Sequence, residues 1–273
     1  MIEILSYEFM QKAFISGIVI AIACSLLGVF LVLRKFSLIG DGIAHISFGG
    51  VATGLLFNIT PFIGALLFGL IGSFGIIKLK EKSAVYSDTA IGIVSHVSLG
   101  IGIFILSIAS GLNVDILSYL FGSILSIKTT ELLLSLSLAL LVIVFIIIYY
   151  KDLFYMSFDE ESARVSGIKV NFLNSMLLIL TAVTIVCSMN IVGLMLASSL
   201  IILPAASALQ IKTSFKKTLI YSVLISVFSV IAGLIIAYNY DFAVSGTIVI
   251  LNALFFLLIL LHSKINNLSS NIK

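Results

Sequence analysis

The sequence predicts an all-α integral membrane protein, built as a bundle of helices that crosses the bilayer many times. Of its 273 residues, 61% are hydrophobic and only 10% are charged, whereas a soluble domain carries about 25% charged residues. The mean hydropathy is +1.29. Apolar runs long enough to span a bilayer, which takes about 20 residues, follow one another along the chain. Basic residues fall in short clusters between these runs, so the net charge of +3 gives no reason to expect a nucleic-acid partner.

The number of spans follows from the apolar runs. Nine runs fit or nearly fit a membrane crossing, and they cover residues 13–33, 42–57, 62–77, 89–109, 132–150, 172–189, 190–210, 218–237 and 243–262. We therefore expect about nine transmembrane helices. Eight is the alternative, because Pro204 interrupts the run 190–210 and this run begins where the previous one ends. The segment 115–123 is too short to span, so it is predicted to be a re-entrant or surface helix.

Lysine and arginine residues predict the orientation of the chain, because they concentrate in cytoplasmic loops. With nine helices and the N-terminus outside, only Lys12 and Lys128 fall on the outer side. The loops on the inner side hold the other thirteen, which are Arg34, Lys35, Lys78, Lys80, Lys82, Lys151, Arg164, Lys169, Lys212, Lys216, Lys217, Lys264 and Lys273. This asymmetry places the loop at about 151–171 in the cytoplasm.

A single transmembrane domain over 1–273 is expected. The N-terminal segment lacks the basic stretch of a cleavable signal peptide, so the first apolar run is expected to remain as a span. The sequence contains no Gly-x-x-x-x-Gly-Lys-Ser/Thr loop for binding nucleotide phosphates. If ATP powers this protein, another chain must bind it.

The most informative polar residues are Asp41 and His45. They lie four residues apart, and so share one face of a helix, one turn from each other. Ionisable groups are costly inside a membrane and usually mark a substrate path, and a carboxylate with an imidazole suits a divalent transition metal. The alternative is structural: Asp41 would cap the start of a helix, and His45 would hydrogen-bond a neighbouring span.

His96 is the next candidate, about two turns into the run 89–109. A histidine there needs a partner, and an interhelical hydrogen bond would satisfy it. It could instead supply a second imidazole to a metal site shared with Asp41 and His45. Sequence spacing cannot place His96 beside that pair, so both interpretations stay open.

The segment 157–167 predicts a short polar helix between two spans. Ser157 or Asp159 can cap its start, acidic residues occupy its first turn, and Gly167 can end it. Such a helix could be a solvated connector or a docking site for a cytosolic motor subunit. Its length and polarity do not decide between these two roles.

Five stretches together resemble the permease subunits of the zinc/manganese/iron family of ATP-binding-cassette importers. They extend over nearly the whole chain and comprise residues 37–45, 88–93, 159–167, 192–206 and 245–248. Each stretch is weak alone, but their combination and order are specific to this family. The resemblance implies a transport subunit of a bacterial-type cell membrane that is not itself an enzyme.

The resemblance also implies partners and roles. A second copy of the chain would complete a homodimeric pore, two cytosolic ATP-binding subunits would hydrolyse ATP, and an extracytoplasmic metal-binding protein would deliver the ion. Asp41 and His45 would line the metal path. The residues that would couple to the ATPase are Asp159, Glu160, Glu161, Ala163, Arg164 and Gly167.

The transported ion would be Zn²⁺, with Mn²⁺ or iron as the alternative within the family. Imidazole suits zinc, whereas manganese prefers oxygen ligands, and His96 resembles a histidine of the zinc-type members. No permanently bound cofactor is expected. A secondary cation transporter or channel would explain the membrane Asp and His equally well, but not the docking-like segment 157–167. An intramembrane metalloenzyme is disfavoured, because no His-Glu-x-x-His motif accompanies His45.

Overall fold

The computed structural model describes residues 7–82, 86–108, 116–122, 129–189 and 192–270. Within these ranges every regular element is a helix. The helices, in chain order, are α1 (Glu8–Leu33), α2 (Ile39–Leu56), α3 (Pro61–Lys82), α4 (Ser87–Ile108), α5 (Ile116–Phe121), α6 (Thr129–Ile148), α7 (Tyr150–Phe158), α8 (Glu160–Val165), α9 (Val170–Ser188), α10 (Leu194–Gln210), α11 (Phe215–Tyr240) and α12 (Val244–Ser270). Each of the nine apolar runs coincides with one of these helices.

The predicted count of nine spans is not confirmed. In the part of the chain that the structure describes, six helices are long and apolar enough to cross a membrane, and α6 with α7 would make a seventh if this pair, bent by 71°, is one span. The two remaining runs correspond to α2 and α10. Helix α2 has 18 residues that include Asp41, His45 and several glycines, which lower its hydropathy, and the apolar part of α10 is shorter than a full span.

Helix α2 lies at the centre of the bundle, packed against α3, α4, α9 and α10. Its glycines allow the close approach that membrane helices reach through small residues. A Cβ atom on Gly50 would stand 2.3 Å from the carbonyl oxygen of Gly64 on α3, and one on Gly64 would stand 2.2 Å from that of Gly50. Neither position can hold a side chain, so the α2–α3 contact depends on both glycines.

A second contact joins α1 to α10 and α11. A Cβ atom on Gly28 of α1 would stand 1.9 Å from the carbonyl oxygen of Ile201 on α10. Two serine hydroxyls of α11 donate to carbonyls of α1, Ser222 to Ser25 and Ser226 to Ala21, both at 3.2 Å. These bonds account for polar residues in an otherwise apolar helix, because a buried hydroxyl needs a partner in a membrane interior.

An aromatic cluster gathers several helix ends at one end of the bundle. The ring of Phe215, at the start of α11, contacts the rings of Tyr150, Phe154 and Phe158 on α7, with centroids 5.0–6.0 Å apart. Helix α8 follows α7 directly. The start of α11 and the whole segment 157–167 therefore lie at the same end of the bundle.

The segment predicted to be a re-entrant or surface helix contains α5. This helix has six residues and packs against α10. The first residue of the predicted segment, and the last, lie outside the described residues. Gly193, just before α10, has φ +86 and leaves no room for a Cβ atom, which would stand 2.3 Å from the carbonyl oxygen of Leu120. Glycine is therefore required where α5 meets the start of α10.

Candidate metal path and coupling helix

The first turn of α2 carries Asp41. Helix α2 begins at Ile39, and its N-cap residue is Leu38, which makes no side-chain capping bond. Asp41 is exposed, and His45 follows one turn later, half-buried. Asp41 is therefore not the N-cap of α2, so the capping alternative is wrong. Its carboxylate lies on an exposed face of the helix.

The packing of α2 against α4 brings His96 to His45. Gly42 faces Ile91 and Gly49 faces Ser98, so the two helices run parallel in a constant register. The hydroxyl of Ser98 donates to the carbonyl of Ile46 at 3.1 Å and fixes this register. As a result the imidazole rings of His45 and His96 lie edge to face, with centroids 6.3 Å apart and planes at 73°.

The ring of His96 is oriented by its own helix. Its Nδ1 atom lies 2.7 Å from the carbonyl oxygen of Gly92. A carbonyl oxygen can only accept, so Nδ1 carries the hydrogen in the neutral ring and Nε2 presents its lone pair. Metal-binding histidines are commonly fixed by such a bond from the second nitrogen to a backbone carbonyl. The residue is exposed, so a ligand can reach it.

The two imidazoles lie close to the separation that a shared metal ion would require. A ring centroid stands about 3 Å from a metal held by one of its nitrogens, so two ligating rings lie about 5–6 Å apart. The observed 6.3 Å is within a small side-chain adjustment of that separation. Among the described residues no three His, Cys, Asp or Glu side chains gather as one metal cluster, so Asp41 does not join the two rings in this conformation.

The predicted polar helix is present as α8, and its ends follow the sequence signals. Asp159 is the N-cap, and its carboxylate accepts from the backbone N–H of Ser162 at 3.0 Å. These bonds to Ser162 hold the pKa of Asp159 below its ordinary value. Gly167 follows the helix with φ +85, and the N–H of Ile168 donates to the carbonyl of Ala163. The prediction of a capped helix that ends at Gly167 is confirmed.

Sequence reasoning missed the residue that anchors α8, which is Arg34. Its guanidinium group is only 5% exposed. It donates to the carboxylate of Glu160 at 2.8 Å, to the carbonyl of Met156 at 2.6 Å and to the amide oxygen of Asn174 at 2.9 Å. One side chain at the end of α1 thus joins α7, α8 and α9. The sequence signalled Arg34 only as one of many cytoplasmic cations.

Glu160 is held between two arginines. Its Oε2 atom accepts from Arg34, and its Oε1 atom accepts from Arg164 at 3.0 Å. Partial burial favours the neutral acid, but the charges and hydrogen bonds of Arg34 and Arg164, with a further contribution from Lys80, outweigh burial and lower the pKa of Glu160. Glu160 is therefore ionised at neutral pH and bonded to two arginines of its own chain.

The outer surface of α8 presents other groups. Ala163 is fully buried and seats the helix on the bundle, whereas Glu161 is exposed. Val165 is 89% exposed and Phe158, just before the helix, is 63% exposed. Apolar side chains this exposed beside a polar helix are typical of a surface that a partner covers.

Comparisons with known proteins identify the family. The model of the ABC 3 transport family matches residues 6–263. The chain belongs to the ABC 3 transport family. Members of this family are permeases of ATP-binding-cassette metal importers, so the chain is a multi-pass protein of the bacterial cell membrane and a transport component. The resemblance found in the sequence is confirmed.

Relatives in the ABC 3 family carry different metals in their names. The chain is 37% identical over 251 residues to the manganese import system permease protein ScaB of Streptococcus gordonii, covering 92% of this chain and 90% of that one. It is 32% identical over 253 residues to the high-affinity zinc uptake system membrane protein ZnuB of Haemophilus influenzae, covering 92% and 97%. These relatives therefore do not single out zinc, the ion expected from the sequence.

A solved structure has the same fold. The chain superposes on a chain of PsaBC from Streptococcus pneumoniae, which was solved in complex with Fab, with a TM-score of 0.83 and 34% sequence identity. The match covers 94% of this chain and 92% of that one. The helical bundle described above is thus also the fold of a chain in that solved complex.

Proposed function

We propose that this permease moves Zn²⁺ into the cytoplasm along a path that passes Asp41, His45 and His96. The observation that carries the proposal is the pair of imidazoles at 6.3 Å, one of them oriented by a backbone carbonyl so that Nε2 is open. Two imidazoles with a carboxylate one turn away are a donor set that suits zinc. Because the set is incomplete, it would bind the ion weakly and release it, as transport requires.

Manganese is the second candidate. The name of the 37% identical relative favours it, and Asp41 offers the oxygen ligand that manganese prefers. Zinc remains the first choice because the two rings that meet, those of His45 and His96, both offer nitrogen ligands, and manganese gains less from imidazole than zinc does.

The proposed assembly includes a cytosolic ATP-binding subunit at α8. The helix is short, is fixed to the bundle by Arg34, and exposes Val165 and Glu161. A rigid element transmits movement from a partner, whereas a connector that only joins two spans needs no such anchor. A secondary transporter or channel would have no use for this arrangement.

Two further partners complete the proposal. One face of α4 is open: His96 is exposed although its ring meets that of His45, and no described atom of another helix lies within 4 Å of the Cβ position of Gly92 or Gly100. A second copy of the chain would enclose that face and could supply the missing ligands. An extracytoplasmic metal-binding protein would deliver the ion at the other end of the bundle from α8.

The proposed path is tested by ATP-dependent metal uptake into proteoliposomes that hold the permease with its ATPase and binding protein. We expect Asp41→Ala and His45→Ala to abolish uptake while the protein still inserts and folds. Leu224→Ala, an exposed residue on α11, serves as the control and should transport normally. Normal uptake by both path variants would remove these residues from the route of the metal.

The proposed docking site is tested by co-purification with the ATPase. We expect Glu161→Lys combined with Val165→Ser to weaken the complex without lowering the thermal stability of the permease, because both side chains are exposed. Asp241→Asn, a charge change at the far end of α11, should leave the complex intact. Equal recovery of ATPase with all three proteins would contradict docking at α8.

A further inference from the structure

A second feature lies at the end of the bundle that carries α8. It is a cleft of about 490 Å³ between the end of α10 and the last turns of α12, a volume typical of small-molecule sites. The cleft is lined by Gln210, Ile211, Lys212, Leu258, Ile259, His262 and Ser263. None of these residues belongs to the metal path or to the α8 surface.

The lining divides into a polar part and an apolar part. Lys212, His262 and Ser263 lie where α10 and α12 reach the end of the bundle, and Leu258 and Ile259 lie one turn deeper on α12. From there an apolar surface continues along α12, where Leu254, Leu258 and Leu261 are all about half exposed or more. A ligand that fits has a polar head and an apolar tail.

The charge of this region has one sign. After Glu161 the sequence contains a single acidic residue, Asp241, and this residue caps the opposite end of α11. Lys216 and Lys217 follow Lys212 in the first turn of α11, where basic side chains oppose the helix dipole. No carboxylate on the helices that form the cleft offsets these charges, so an anion is the complementary ligand.

Lys212 has an unusual backbone conformation. Its φ is +54, in the left-handed region where glycine or asparagine usually follows a helix. A lysine adopts this conformation at a cost, as Lys35 also does with φ +59. The side chain of Lys212 lines the cleft.

We propose that this cleft binds the headgroup of an anionic phospholipid of the inner leaflet, with the phosphate at Lys212 and the acyl chains along Leu254, Leu258 and Leu261. Basic pockets between membrane helices on the cytoplasmic side are suited to such headgroups. The proposed function enters only in assigning this end of the bundle to the cytoplasm. The bound lipid would brace the ends of α10 and α12 beside α11.

The test counts lipids bound to the purified permease by native mass spectrometry after addition of phosphatidylglycerol or phosphatidylcholine. The wild type is expected to prefer phosphatidylglycerol. Lys212→Gly should weaken phosphatidylglycerol binding about fivefold, the contribution of one lysine near an anionic surface. Glycine adopts a φ of +54 without steric cost, so this variant removes the side chain and adds no backbone strain.

Lys151→Gln and Lys212→Arg are the matched controls. Lys151 is an exposed lysine of α7 away from the cleft, so its loss should change binding less than twofold, and arginine at 212 should bind as the wild type does. Equal binding of the two lipids, or equal effects of Lys212→Gly and Lys151→Gln, would overturn the proposal. So would a Lys212→Gly protein that keeps its lipid but loses the ATPase, because the cleft would then serve the cytosolic subunit. Lipid binding requires no metal or ATP, so its failure is distinct from failure of transport.

Discussion

The buried cation Arg34 provides the sharpest prediction, because a single substitution separates α8 from its support. Arg34→Met keeps an apolar stem and removes three donors, those to Glu160, Met156 and Asn174. Breaking a fully buried ion pair costs about 3–5 kcal/mol. Glu160 is 38% exposed and retains Arg164, so we expect the smaller value of one or two charged hydrogen bonds, about 2–3 kcal/mol.

This energy should appear in two measurements. Hydrogen exchange of the segment 159–167 should become faster, because α8 loses its link to α1. The affinity of the ATPase for the permease in nanodiscs should fall by up to about 30- to 150-fold, if the full 2–3 kcal/mol is needed to order α8 again on binding.

Arg164→Met is the matched control for Arg34→Met. It removes an arginine from the same carboxylate, but Arg164 is 57% exposed, and exposed pairs one helical turn apart contribute about 0.3–0.5 kcal/mol. Its effect on the hydrogen exchange of the segment 159–167 should stay below about threefold. Hydrogen exchange is the measurement for this control, because Arg164 is itself among the residues expected to couple to the ATPase. The reasoning would be refuted if Arg34→Met bound the ATPase as tightly as the wild type, or if Arg164→Met accelerated hydrogen exchange as much as Arg34→Met does.

Two further predictions concern stability and pH. Gly28→Ala should destabilise the purified permease in thermal unfolding by about 3 kcal/mol or more, the upper end for overpacking, because its methyl group would overlap the Ile201 carbonyl. Gly246→Ala on α12, with open space at its Cβ position, should be neutral or slightly stabilising. Equal losses of stability in the two variants would show that the α1–α10 contact relaxes around a methyl group. The pKa values of Asp159 and Glu160 are lowered from 3.8 and 4.5, so their stabilisation of α8 should be complete above these values and lost as pH falls through the lower folded-state values. Hydrogen exchange of 159–167 against pH tests this, and Asp159→Asn should remove part of the pH dependence; a loss of order already near neutral pH would contradict it.

Much of the fold could be predicted because hydrophobicity is a local signal. Each of the nine apolar runs overlaps a described helix, and the ends of run and helix differ by only a few residues at most positions. The number of spans was less predictable, because α2 and α10 contain small and polar residues that let them pack in the centre. These residues lower the hydropathy by which a span is recognised. The ends of α8 were predictable because Asp159 and Gly167 act within their own turn.

The candidate site was only half predictable. Asp41 and His45 share a helix turn, so their sequence spacing relates them directly. His96 comes close to His45 only because Gly42 and Gly49 let α4 pack in parallel against α2, and no local pattern reveals that register. Arg34 is similar, because its partner Glu160 lies 126 residues away along the chain.

The claim that His45 and His96 guide the metal is tested most directly by competition between zinc and manganese in ATP-dependent uptake. The measurement compares the wild type with His96→Asp, which replaces a nitrogen ligand by an oxygen ligand at the same place, and with Leu224→Ala on α11 as a control. We expect the wild type to prefer zinc, and His96→Asp to shift the uptake ratio toward manganese by tenfold or more, about 1.4 kcal/mol. An uptake ratio that is the same in all three proteins would contradict a role for His96 in the metal path.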